Sequence, residues 1–201
     1  MLTGNKNTFA IESSITKAYE DLSCLALGYF VVYINGRCYG VREPDAALLS
    51  GPFDEAQNRI ARRGTYSAPF AAEPDAGKIV DAIREAVYDA EPKNSQFLGM
   101  SLADFNGSYG KANFQWSAAC DEAFDDGSTL YHFEVGGRVR LIGCRFLNFP
   151  GFIRHDARTI QDIWLRADDF YDVLQSWKDD FEAEWKFAPK TDEGRAEDVR
   201  S

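Results

Sequence analysis

Histidine is scarce in this sequence and cysteine is scattered. The two histidines, His132 and His155, form no HxxxH pair, and the four cysteines, Cys24, Cys38, Cys120 and Cys144, form no CxxC pair. Zinc and redox sites usually gather several such ligands at short spacing, so no metal centre or cofactor is expected. Free, buried thiols in a reducing compartment are the simplest account of the cysteines. Positive charge is also short, with 22 Lys and Arg against 32 Asp and Glu and a net charge of −10. That balance opposes binding to phosphate backbones, so nucleic acid is not an expected partner, and it opposes docking on anionic lipid. It favours solubility and attraction to a basic partner. Long apolar runs are missing too. The longest, Cys24 to Ile34, is broken by Gly28 and falls well short of the ~20 residues that cross a membrane. The opening residues 1–7 carry no apolar segment of the secretory type, and a cytoplasmic protein is expected.

Familiar catalytic patterns are likewise absent. Gly107-Ser108-Tyr109-Gly110 lacks the GxSxG order of a nucleophile elbow, and no GxxxxGK[ST] or GxGxxG run occurs. A cysteine nucleophile served by a histidine distant in sequence stays open on these grounds alone.

What is present is a chain of 201 residues, long enough to bury a core without disulfide or metal staples. It is rich in rings, with 15 Phe, 9 Tyr and 4 Trp, which serve a core or in part a contact surface. Phe9, Ile11 and Ile15 share a face at a period of two, as in a half-buried strand. Leu27 to Ile34 is apolar on both faces and reads as a central strand. Asn35-Gly36 then suits a type I′ turn into a return strand, Arg37 to Val41. A helix is expected from about Phe53 to Arg63, with acids at its start, arginines at its end and Gly64 beyond. A second should run from Pro74 or Asp75 to Tyr88, burying Ile79, Ile83 and Val87.

Asn113 to Ser117 suggests a short strand around Trp116. Thr129 to Val135 alternates, with Tyr131, Phe133 and Val135 on one face, and Gly136-Gly137 turns it into Arg138 to Phe146. Ile163-Trp164-Leu165 reads as a strand, after which Asp168 can cap a helix reaching Trp185 or Lys186. Phe170, Val173, Leu174, Trp177, Phe181 and Trp185 recur three or four apart and make its apolar face. Together these elements point to an α+β fold, one antiparallel sheet with helices packed on one face. A single domain over residues 1–187 is expected, followed by a polar, frayed tail from 188 to 201.

One stretch stands out chemically. Asp121, Glu122, Asp125 and Asp126 crowd four carboxylates into what reads as an exposed loop ending at Gly127. It is either a solvated loop, a recognition patch for basic groups or, least suited by its spacing, a hard-cation site.

Several segments together resemble a bacterial polymorphic-toxin immunity family, immunity protein 42. They are Asn7-Thr8-Phe9-Ala10-Ile11-Glu12, Tyr33-Ile34-Asn35-Gly36 with Tyr39-Gly40-Val41-Arg42-Glu43-Pro44-Asp45, Ala68-Pro69-Phe70, and Glu73-Pro74-Asp75-Ala76-Gly77-Lys78. Asp121 to Ser128, and Trp164-Leu165 with Ala167-Asp168-Asp169-Phe170-Tyr171 and the helix after it, complete the set, which spans nearly the whole chain, from about residue 5 to 187. The resemblance implies a small α+β protein encoded beside a toxin. Such a protein binds the toxin domain stoichiometrically and protects the producing cell and its kin, without catalytic residues. The alternative reading is a hydrolase or metal-dependent enzyme using the 121–126 loop.

Overall fold

A computed structural model describes residues 1–116, 121–149 and 152–191, with backbone alone for Asp121 and residues 147–149 and 152–154. In chain order the first elements are strands β1 (Leu2–Gly4), β2 (Phe9–Tyr19), β3 (Ala26–Ile34), β4 (Arg37–Tyr39) and β5 (Ala47–Leu48), then helices α1 (Ser50–Ala61) and α2 (Ala76–Ile83). Strands β6 (Gln96–Phe97) and β7 (Met100–Ser101) and helix α3 (Leu102–Tyr109) follow. The chain continues through β8 (Ser128–Val135), β9 (Arg138–Phe149), β10 (Phe152–His155) and β11 (Gln161–Arg166) to helix α4 (Ala167–Phe187) and β12 (Lys190–Thr191).

The first hairpin forms as its turn chemistry demands. Asn35 and Gly36 sit at φ 49° and 80°, the left-handed pair a type I′ turn needs. The return strand stops at Tyr39, two residues sooner than expected, because Gly40 swings to φ 108°. Strands β1 to β4 pair in order in a six-stranded sheet, which β5 joins antiparallel to β3 and β12 joins parallel to β2. Its inner face carries Phe9, Ile11, Phe30, Val32 and Ile34, and helix α4 lays Phe170, Leu174, Trp177 and Phe181 against them. Trp177 is fully buried, and its indole N–H donates to Ser13 Oγ at 3.0 Å, so this ring enters the core with its one polar atom satisfied. Helix α1 packs on the same side, with Phe53 5.5 Å from Phe181.

The second hairpin, β8–β9, turns at Gly136 and Gly137, both at positive φ. It does not join the first sheet. Strands β8, β11 and β10 all pair with the long β9 in a separate four-stranded sheet. The expectation of one sheet with all helices on one face is therefore corrected, although the α+β class stands. The reason lies in the alternation of β8 and β9. Leu130, Val139 and Leu141 belong to the core shared with the first sheet and α4, whereas Tyr131, Phe133, Ile142 and Cys144 belong to a second core with α2 and α3. A sheet apolar on both faces needs a layer on each side, and α2 and α3 supply the far one. Tyr39 joins the two sheets. Its hydroxyl lies 2.6 Å from Thr159 O and 3.1 Å from Gly143 O. A Cβ at Gly143 would meet the Tyr39 ring at 2.6 Å, so that close approach requires glycine.

Other boundaries moved for local reasons. Helix α1 starts at Ser50, since Pro52 falls in the first turn, where its missing N–H costs nothing. The second helix begins as expected, with Asp75 accepting from Gly77 N and Lys78 N, and ends in a wider π-type turn over Arg84–Tyr88. Asp168 is not the cap of α4. Arg166 occupies that position, and Asp168 and Asp169 lie in the first turn, paired with Arg63 and Arg166. Around Trp116 only an isolated bridge forms, Gln115 to Tyr131. Lys190–Thr191 are held on β2 rather than frayed, and residues 192–201 lie outside the described residues.

Truncating Trp177 or Phe181 to alanine should each cost about 3–5 kcal/mol, because both rings fill the contact between α4 and the first sheet. Urea denaturation measures this directly, and a loss below about 1 kcal/mol would place the stripe outside the cooperative core.

Candidate functional site

The acidic stretch singled out by sequence is less open than its composition suggests. Asp121–Phe124 forms a 3-10 turn that pulls Ala123 and Phe124 inward, where Phe124 meets Phe30 edge-on at 6.2 Å. The apolar Ala-Phe pair in the middle of the run is the physical reason, since burial of a ring outweighs exposure of a short polar loop. Glu122 is exposed, yet its carboxylate accepts the Leu48 N–H at 2.9 Å. Asp126 is half-buried, accepts from Ser128 N at 3.0 Å and faces Arg145 at 2.9 Å. Asp125 is exposed, and the Asp121 side chain lies outside the described residues. The described carboxylates thus divide into an outward pair, Glu122 and Asp125, and Asp126, which already has an internal cation. Among the described residues no group of three or more His, Cys, Asp or Glu is placed to hold a metal ion.

Glu12 organises a second polar centre, on the outer face of the first sheet opposite α4. Strand alternation sends Phe9, Ile11 and Ser13 to the core and Ala10 and Glu12 outward, where Val31 and Tyr33 lie beside them. The Glu12 carboxylate receives Lys6 at 2.6 Å, Arg42 Nε at 2.9 Å, Tyr33 at 2.9 Å and Tyr29 at 3.1 Å. Burial alone would raise this carboxyl; the hydrogen bonds from Lys6, Arg42, Tyr33 and Tyr29 outweigh it and bring it down to about 2.

A third centre lies inside the molecule and was not legible as a site. Arg59 of α1 is fully buried, pairs with the buried Glu55 at 2.8 Å and donates toward His132 Nδ1 at 2.9 Å. His132 on β8 is itself fully buried between Tyr66, 4.5 Å away, and Phe170, 4.7 Å away. A guanidinium has only donors, so Nδ1 must be the acceptor and the proton must sit on Nε2. Nε2 has no hydrogen-bond partner among the described residues. Glu134, two residues further along β8, takes Tyr66 N, Gly64 N and the Tyr171 hydroxyl. The readable signals were the Glu55/Arg59 spacing on one helix face and the place of His132 opposite Tyr131 and Phe133 in the alternation.

A fourth feature is an open groove of about 800 Å³ where the segment before α2 meets the end of β10. Glu73, Asp75, Lys78 and Asp81 line it together with His155 and Ile160. Its rim is anchored from behind by Arg140, another buried cation. Arg140 holds Asp162 through two bonds of 2.9 and 2.7 Å and donates to the carbonyls of Ala71 and Glu73.

Comparisons with known proteins bear on the whole chain rather than on one of these centres. The family described as immunity protein 42 matches residues 1–180. Among solved structures, the crystal structure of CdiI from Burkholderia dolosa AUO158 superimposes with a TM-score of 0.54 at 16% identity, covering 90% of this chain and 99% of that one. At that identity the likeness concerns the fold. No curated protein matches the sequence.

The buried histidine makes stability depend on pH. Burial, and then the neighbouring Arg59 charge, hold the His132 imidazole well below its ordinary value. The unfolded chain takes up this proton near pH 6.5 while the folded one does not, so stability is full above that pH and falls as pH drops below it. The loss should approach about 1.4 kcal/mol per pH unit, and His132→Gln should remove this component. Urea midpoints from pH 7.5 to 5 in both proteins check it, and identical pH profiles would contradict the assignment.

Proposed function

This chain belongs to the immunity protein 42 family, and from that premise we propose that it neutralises a bacterial toxin by binding the toxin domain itself. The observation that carries the reading is the family match over residues 1–180, which takes in both sheets apart from β12 and about two-thirds of α4. Capture of this kind needs a shaped surface and no reacting group, and it acts stoichiometrically in the cytoplasm of the producing cell and its kin. The cognate toxin domain is the partner.

The outward carboxylates of the 121–126 turn belong to the contact surface in this reading. Glu122 and Asp125 are its exposed members, on a chain with a net charge of −10. Asp126 contributes less, because Arg145 already neutralises it. A basic face on the toxin would be steered toward such a surface, with faster association at low salt than at high salt.

Two experiments test this. Co-expression with the toxin domain encoded beside it should restore growth, and continued killing despite soluble expression would end the proposal. Replacing Asp121, Glu122, Asp125 and Asp126 by Asn or Gln should slow association about tenfold at low salt and flatten its salt dependence. An unchanged on-rate and salt slope would remove the turn from the interface.

A further inference from the structure

The groove between the start of α2 and the end of β10 combines three features that together describe a guest. Its rim carries three carboxylates, Glu73, Asp75 and Asp81, against one lysine. That lysine, Lys78, approaches Glu73 only to 3.9 Å and is well exposed, so the pair is loose. Asp75 is occupied as the helix cap, accepting from Gly77 N and Lys78 N. Glu73 accepts the Asp75 N–H through Oε1 at 3.2 Å, which leaves its Oε2 and the Asp81 carboxylate as acceptors for a guest. The wall between them is apolar, formed by Pro74, Ala76 and Ile160.

The third feature is His155. Its side chain is only 9% exposed, and Nδ1 lies 3.1 Å from Asp81 Oδ1. The two are not aligned as a hydrogen bond, and Nδ1 has no hydrogen-bond partner among the described residues. A polar atom buried without a partner calls for an explanation, such as an ordered water, an ion or a bound group. The groove is also rigid where it matters. Arg140 fixes the carbonyls of Ala71 and Glu73 from the interior, and Asp162 holds Arg140 in turn.

We propose that this groove receives an arginine side chain of the toxin domain, its stem against Pro74, Ala76 and Ile160 and its guanidinium between Glu73 and Asp81. Arginine fits better than lysine because its planar fork serves two carboxylates at once, while its stem packs on the apolar wall as a lysine stem also would. A guanidinium that draws Asp81 into place lets the carboxylate complete its bond to His155 Nδ1. The inference rests on toxin capture and adds a contact separate from the 121–126 turn.

The test pairs an affinity measurement with a local probe. The double variant Glu73→Gln/Asp81→Asn leaves the Asp75 cap intact, and a thermal melt establishes that it is folded. Affinity for the toxin domain encoded beside this protein should fall at least tenfold. In the wild-type protein the His155 imidazole resonances should shift on binding; the chain has two histidines, so a His132→Gln protein assigns them. Equal affinity of wild type and variant overturns the groove while leaving toxin capture standing. Weaker binding with unmoved His155 resonances also overturns it, because the loss is then a long-range charge effect. A wild-type protein that neither binds nor protects removes both this inference and the function it rests on.

Discussion

Alternate side chains of the β8–β9 hairpin enter two different cores. Leu130, His132, Val139 and Leu141 point one way, and Tyr131, Phe133, Ile142 and Cys144 the other. A hairpin buried on both faces cannot sit at the surface of a two-layer protein, so the remaining elements must cover it from two sides. The first sheet with α1 and α4 provides one cover. Helices α2 and α3 provide the other, with Phe70, Phe105 and Phe114 between them and the strands. A one-residue slip of β8 would exchange the two sets and set Tyr131 and Phe133 against α4, which explains why register here is strongly specified.

The interior is also unusually polar at selected points, and each point ties elements that are distant in sequence. Arg59 connects α1 to β8 through His132 and to the segment before it through the Asn113 carbonyl at 3.1 Å. Arg140 connects β9, β11 and the chain leading into α2. Tyr39 connects the two sheets. Removing one partner from such a contact leaves a buried charge or donor uncompensated, which costs more than the intact contact contributes. These groups therefore set the relative position of the layers more than they add to net stability. They hold the apolar cores to one arrangement of the two sheets.

The toxin capture proposed above calls for a fixed surface. The layered core suits that task, since the groove rim and the 121–126 turn are both braced by buried contacts rather than carried on free loops. Rigid presentation lowers the ordering cost of binding. The Glu12 network shows the same economy on the outer sheet face. Lys6 and Arg42 lie over the Tyr33 and Tyr29 rings and are held there by a nearly buried carboxylate.

Much of the secondary structure was legible because it depends on local chemistry. The Asn35-Gly36 and Gly136-Gly137 turns, the Asp75 cap and the apolar stripe of α4 each follow from residues within a few positions of one another. The family was legible too, as a pattern of segments spread from residue 5 to 187. The layer order was not, because the number of sheets depends on which faces of β8 and β9 find partners, and those partners lie as far away as Tyr39 and Phe170. The same holds for the site residues. Composition marked Asp121, Glu122, Asp125 and Asp126, but only the tertiary structure turned Ala123 and Phe124 inward and set Arg145 beside Asp126. It also brought His155 to Asp81 across more than seventy residues of chain, a pairing that no spacing rule encodes. Sequence determines contacts whose entropy cost is small because the partners are near neighbours, whereas long-range pairs are chosen only when the whole core closes around them.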